Sequence, residues 1–185
     1  PRDGASFFPL VVDYQEKFYA SGKIKGSRFI KREGRPSDEA TLTGRAIDRA
    51  VRPRFDLRIR NDVQVVVSVL SFDPKNDPDI PAFIASSSAL ALSDIPWNGP
   101  IGAVKIGRIN NEYILNPSFE DAERSDFLLT AAGVKEGINM IELAAKEVGE
   151  EDLSDALEFA QKYIKKIVEF QEEIAKENEI AKKEV

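Results

Sequence analysis

From Leu153 onward, Leu157, Ala160, Ile164, Ile167, Val168 and Ile174 recur at helical spacing. They define one apolar stripe along a long helix. A stripe of that length needs a broad apolar surface to lie on, and the candidate strands supply one. Residues 10–18 read as a strand running into a turn at Gly22, and residues 62–72, with five valines, as a strand buried on both faces. Residues 101–108 and 112–115 flank Ile109-Asn110-Asn111 as a hairpin, and 127–132 and 138–145 add two more strands. Between them, Ser37 followed by Asp38 and Glu39 opens a helix that runs to about Val51, because Pro53 would lose its backbone bond. Residues 79–93 form a second helix, rich in small side chains and suited to close packing on a sheet. The predicted class is α+β: a mixed β-sheet packed by helices, with a long C-terminal amphipathic helix.

Composition bounds the chemistry. The 185 residues are 42% hydrophobic, enough for a full core. With neither cysteine nor histidine, disulfides, thiolate metal sites and the commonest general base are all excluded. Apolar runs fall far short of the roughly 20 residues that span a bilayer, and no signal peptide opens the chain, so a cytoplasmic protein without membrane contact is expected. Pro1-Arg2-Asp3-Gly4 leads at once into the apolar run Phe7-Phe8-Pro9-Leu10-Val11-Val12. This reads as a piece of a longer protein whose upstream strands would cover the first sheet edge.

Charge is unevenly spread. Between Lys23 and Arg60 stand twelve basic residues against five acidic ones, a local +7 in a chain of net −6. Such polarity attracts a polyanion whatever the net charge. Its densest part, Phe29-Ile30-Lys31-Arg32-Glu33-Gly34-Arg35, lies in a loop that ends at the capped helix. One aromatic face and three cations in seven residues suit single-stranded nucleic acid: stacking is worth about 1–3 kcal/mol per base, and phosphate contacts add a salt-dependent share. A solvated loop, or one paired with acidic groups of a neighbouring subunit, is the competing reading. Arg45, Arg49 and Arg52 share one side of the following helix, either as a phosphate cradle or, with Asp48, as a structural ion-pair ladder.

No catalytic constellation assembles from the remaining residues. Ser86-Ser87-Ser88 fall mid-helix without an activating base, and Asp94, Glu120, Asp121, Asp126 and Glu142 show no metal-ligand spacing. Gly99-Pro100-Ile101-Gly102 is a turn feeding a strand, and no phosphate-binding glycine motif occurs. Catalytic and metal-ligating residues are therefore both expected to be none.

The stretch from Phe7 to Phe55, then Asn61 to Ser71 (Asn-Asp-Val-Gln-Val-Val-Val-Ser-Val-Leu-Ser) and Ser93 to Gly107 (Ser-Asp-Ile-Pro-Trp-Asn-Gly-Pro-Ile-Gly-Ala-Val-Lys-Ile-Gly), closely resembles the bacterial polynucleotide phosphorylases, in their first RNase PH-like core domain. The resemblance extends more loosely to about residue 177. It implies an RNase PH-like fold over residues 1–177, lacking its N-terminal strands, with 178–185 a polar helix end or linker toward a helical domain. It also implies a parent enzyme that degrades mRNA from 3′ to 5′ with inorganic phosphate and Mg2+, releases nucleoside diphosphates, and forms a homotrimer around a channel, with a place in an RNA-degradation complex. In that family the first core has lost catalysis. The channel-lining loop of the family, Phe-Phe-Arg-Arg, stands here as Phe29-Ile30-Lys31-Arg32, followed by Arg35. Ile30 removes one stacking surface, and Lys31 keeps the charge without the bidentate fork. RNA contact is carried over to Phe29, Lys31, Arg32 and Arg35. Where the family's catalytic core has a D-x-x-G-x-E-D pattern, Tyr113-Ile114-Leu115-Asn116-Pro117 offers no carboxylate, and Ser86-Ser87-Ser88 lacks the glycine pair of the family's phosphate loop.

The expected function is thus an RNA-guiding, trimer-forming, non-catalytic core that needs no cofactor of its own. A self-sufficient RNase PH-type exoribonuclease and a pure assembly scaffold without RNA contact are the alternatives.

Overall fold

The computed structural model describes residues 4, 6–24 and 35–184. Twelve elements follow one another: strand β1 (Leu10–Glu16), a 3-10 turn (Phe18–Ser21), helix α1 (Asp38–Val51), a second 3-10 turn (Arg52–Arg54), β2 (Val63–Val69), α2 (Asp79–Ala91), β3 (Gly102–Ile109), β4 (Glu112–Leu115), α3 (Phe119–Arg124), β5 (Phe127–Val134), β6 (Gly137–Ala145) and α4 (Glu150–Glu177). The strands pair in both senses, divided between two sheets. β1 and β2 run parallel with Leu10 opposite Val63, and β4-β3-β5-β6 form an antiparallel sheet in that order.

Four layers result: the parallel pair, then α1 and α2, then the antiparallel sheet, then α4. The alternation of β3 explains how the inner layers are glued. Ala103 joins the cluster of Tyr14, Ile47, Val51 and Phe83, while its neighbours Val104 and Ile106 join the cluster of Leu129, Ala160 and Ile164 under α4. β3 is thus buried on both faces, and small residues let the layers close. A Cβ added to Gly102 would lie 2.7 Å from the Ile164 carbonyl oxygen. At the other end of α4, Arg108 is fixed by Asp126 and by Asp152 at 2.8 Å each, with its guanidinium 5.4 Å from the centre of the Phe127 ring.

The structure departs from expectation at two elements. β2 is not buried on both faces: Val63 and Val65 are buried, whereas Val66 on the outer face is 53% exposed. Valine content reported strand propensity, not double burial. Helix α3 was unexpected, although Ser118 caps it by accepting from the Asp121 amide at 3.2 Å while donating to the Asp121 carboxylate.

Candidate nucleic-acid interface

Phe29, Lys31 and Arg32 lie outside the described residues. Arg35 is described, and it is exposed at the rim of a groove of about 1120 Å³. Just past it, Ser37 caps α1 by accepting from the Ala40 amide at 3.0 Å, so the basic segment is anchored at its C-terminal end to a firm helix start.

The three helix arginines do not share one task. Arg45 is exposed and pairs with no described residue. Arg49 donates to the Glu142 carboxylate on β6 and reaches the Met140 sulfur at 3.6 Å. Arg52 grips Asp48 through Nε at 2.9 Å and Nη2 at 2.7 Å, and donates to the Phe8 and Leu10 carbonyls at 3.2 and 3.1 Å. It therefore ties α1 to the start of β1. Further along the basic segment, Arg58 holds Asp56, whose carboxyl is lowered to about 2 by the hydrogen bonds from Arg58, and Arg60 caps the carbonyls of Leu57 and Ile59. Arg49, Arg52, Arg58 and Arg60 are thus committed to partners within the chain.

The groove forms where the carboxyl ends of β1 and β2 meet the amino ends of α1 and α2. Open α/β arrangements commonly bind anions there, because free helix N–H groups and the helix dipole converge. Here carboxylates already fill the place. Asp77 accepts from the Asp79 amide at 3.0 Å and is ion-paired with Lys105. Asp79 accepts from the Thr43 hydroxyl at 3.1 Å and lies 3.9 Å from the Lys105 ammonium. Burial, and then the neighbouring Asp77, push the Asp79 carboxyl up to about 6, against the pull of Lys105. Tyr14, 2% exposed beneath them, is raised by burial and then by Asp79 and Glu16. Half-exposed Phe18, Phe72 and Phe119 line the same groove.

The remaining candidates, Glu120 apart, are accounted for in the fold. Ser86 donates to the Ala82 carbonyl, Ser87 accepts from the Ile101 amide and Ser88 donates to Gln171, so none faces a phosphate site. Asp94 pairs with Lys183, the Asp121 carboxylate accepts from the Ser118 hydroxyl, Asp126 holds Arg108 and Glu142 holds Arg49. Among the described residues no three histidine, cysteine or carboxylate side chains come together as a metal site. No described helix is long and apolar enough to cross a membrane. The groove escaped sequence reading because residues 13–23, 35–43, 69–79 and 119 meet only through the parallel pairing. The one local hint was the Asp77-Pro78-Asp79 run before a helix.

The family described as 3′ exoribonuclease family, domain 1 (RNase PH) matches residues 1–96, and domain 2 of the same family matches residues 99–163. The chain is 57% identical over 168 residues to the polyribonucleotide nucleotidyltransferase of Enterococcus faecalis, covering 91% of this chain and 24% of that protein. It is 54% identical over 177 residues to the enzyme of the same name from Clostridioides difficile, covering 96% of this chain and 25% of that one. The chain therefore spans about a quarter of the length of these relatives. A crystal structure of rice (Oryza sativa) Rrp46 superposes with a TM-score of 0.72 at 13% identity, over 95% of this chain and 77% of that one. At that identity the likeness is one of fold.

Proposed function

The chain belongs to the 3′ exoribonuclease family, and on that premise we propose that it is the RNA-guiding, trimer-forming and non-catalytic first core of a cytoplasmic polynucleotide phosphorylase. The observation that carries the non-catalytic part is the filling of the anion-binding end of α2 by Asp77 and Asp79, with Lys105 already committed to them. A phosphate arriving there would meet two carboxylates. Nor do the described carboxylates offer a Mg2+ site: no three of them converge, and Asp77 and Asp79 are held by Lys105, Thr43 and a backbone amide. Mg2+ and inorganic phosphate would act in another part of the parent enzyme, and this core would position the RNA.

Support for RNA guidance comes from the basic segment itself. Arg49, Arg52, Arg58 and Arg60 are engaged within the fold, whereas Arg35 and Arg45 are exposed, and Arg35 closes the sequence run that holds Phe29, Lys31 and Arg32. These four residues would touch single-stranded RNA, the phenylalanine by stacking and the cations by phosphate contact. Three copies around one aperture would act together by multivalency.

Two experiments test the reading. Incubating the chain with poly(A), phosphate and magnesium should release no nucleoside diphosphate; release that survives removal of contaminating enzyme makes it a self-sufficient exoribonuclease. In the full-length trimer, Arg32→Ala/Arg35→Ala should weaken single-stranded RNA binding and flatten the salt dependence by about 0.7 in log-log slope per lost phosphate contact. Unchanged affinity and slope in that variant and in Phe29→Ala would leave the loop as scaffold.

A further inference from the structure

Beneath the groove, two carboxylates share one ammonium. Asp77 is paired with Lys105 and caps the start of α2 through the Asp79 amide, while Asp79 reaches back to Thr43 on α1 and lies 3.9 Å from the same ammonium. Lys105 projects from β3 with its side chain only 16% exposed. Three elements, α1, α2 and β3, therefore meet at one small cluster. Both ionised acids cannot be fully satisfied by one lysine, so a proton on one of them relieves the repulsion. We propose that Asp77, Asp79 and Lys105 form a proton-operated latch that grips the start of α2 against α1 and β3, tight when the acid pair holds a proton and looser when it does not.

Other charged groups surround the cluster, acids on some sides and cations along the groove. From β1, Tyr14 and Glu16 face it, the tyrosine hydroxyl donating to Glu16 at 3.3 Å, and Asp13 lines the same groove. From α1 come the neutral Thr43 and, on the groove wall, Glu39. Lys17, Lys23 and Arg35 stand along the groove as the opposing cations. Burial and Asp77 raise the Asp79 carboxyl from 3.8 to about 6. The folded state thus keeps a proton that the unfolded chain has released. Stability from this group is complete below about pH 4, falls as pH rises through 6, and is level above about 7. The full fall is at most about 150-fold in the folding equilibrium constant.

Urea unfolding of the 185-residue chain between pH 4.5 and 8 tests the latch. The unaltered chain should lose stability between pH 5 and 7 relative to Asp79→Asn, which keeps the shape and the Thr43 contact but cannot titrate. Parallel curves for the two would overturn the proposal. Should Asp79→Asn fail to fold, carbon-13 titration of the Asp79 carboxyl in the unaltered chain decides: a midpoint near 6 supports the latch, and one at or below 4 overturns it. Amide exchange, corrected for its intrinsic pH dependence, should show the first turn of α2 opening more often at pH 7 than at pH 5. Equal opening at both would also overturn it.

Discussion

The parallel pair β1–β2 is covered on one face, by α1 and α2, whereas the antiparallel sheet β4–β3–β5–β6 lies between α1 and α2 on one side and α4 on the other. The residues chosen for the two sheets differ accordingly. β2 is rich in valine yet turns Val66 outward, with Val11 of β1 also 56% exposed. The doubly covered strands instead carry Gly102, Ala103 and Gly107 on β3 and Ala131, Ala132 and Gly133 on β5, all buried. Bulk and branching favour a strand, but smallness is what permits a layer on each side.

Four substitutions probe this contrast. The largest effect is expected at Gly102→Ala, where the new methyl would press on the Ile164 backbone: urea unfolding should show a loss of about 3 kcal/mol, and an unmoved midpoint would mean that α4 is not clamped to β3. Arg52→Ala should cost about 2 kcal/mol, because it strips partners from the Phe8 and Leu10 carbonyls and from Asp48; a change under about 0.5 kcal/mol would show that β1 holds its place without it. Val65→Thr, placing a hydroxyl on the covered face of β2, should lose about 1.5 kcal/mol. One residue on, Val66→Thr should stay within about 0.5 kcal/mol, and equal losses for the two valines would erase the distinction between the faces.

Much of the architecture was legible from periodicity. The apolar stripe of α4, the cap at Ser37, the Asn110-Asn111 turn with both residues at positive φ, and every strand were readable because each rests on local chemistry. What escaped reading depended on contacts distant in sequence. Nothing local marks Lys105 as the partner of Asp77, 28 residues earlier. The same holds for the arginines: Arg35, Arg45 and Arg52 look alike in sequence, yet Arg52 is tied into β1 while Arg35 remains exposed at the groove. Counting cations located the basic segment, and only the partners of each showed which charges are committed. Phe29, Lys31 and Arg32 rest on the sequence, through their composition and the family resemblance, since they lie outside the described residues.

The two-sided strand β3 bears on how this protein could be divided. The family's two domain descriptions meet between residues 96 and 99, which invites expression of the halves as separate units. Yet the hydrophobic cluster built on α1 and α2 draws Ile101, Ala103, Ala132 and Met140 from beyond that point. Residues 1–96 produced alone would lack one wall of their own interior, and residues 99–185 would present Ala103, Ala132 and Met140 to solvent. Inheritance may be described in two parts here, but melting should occur as one event.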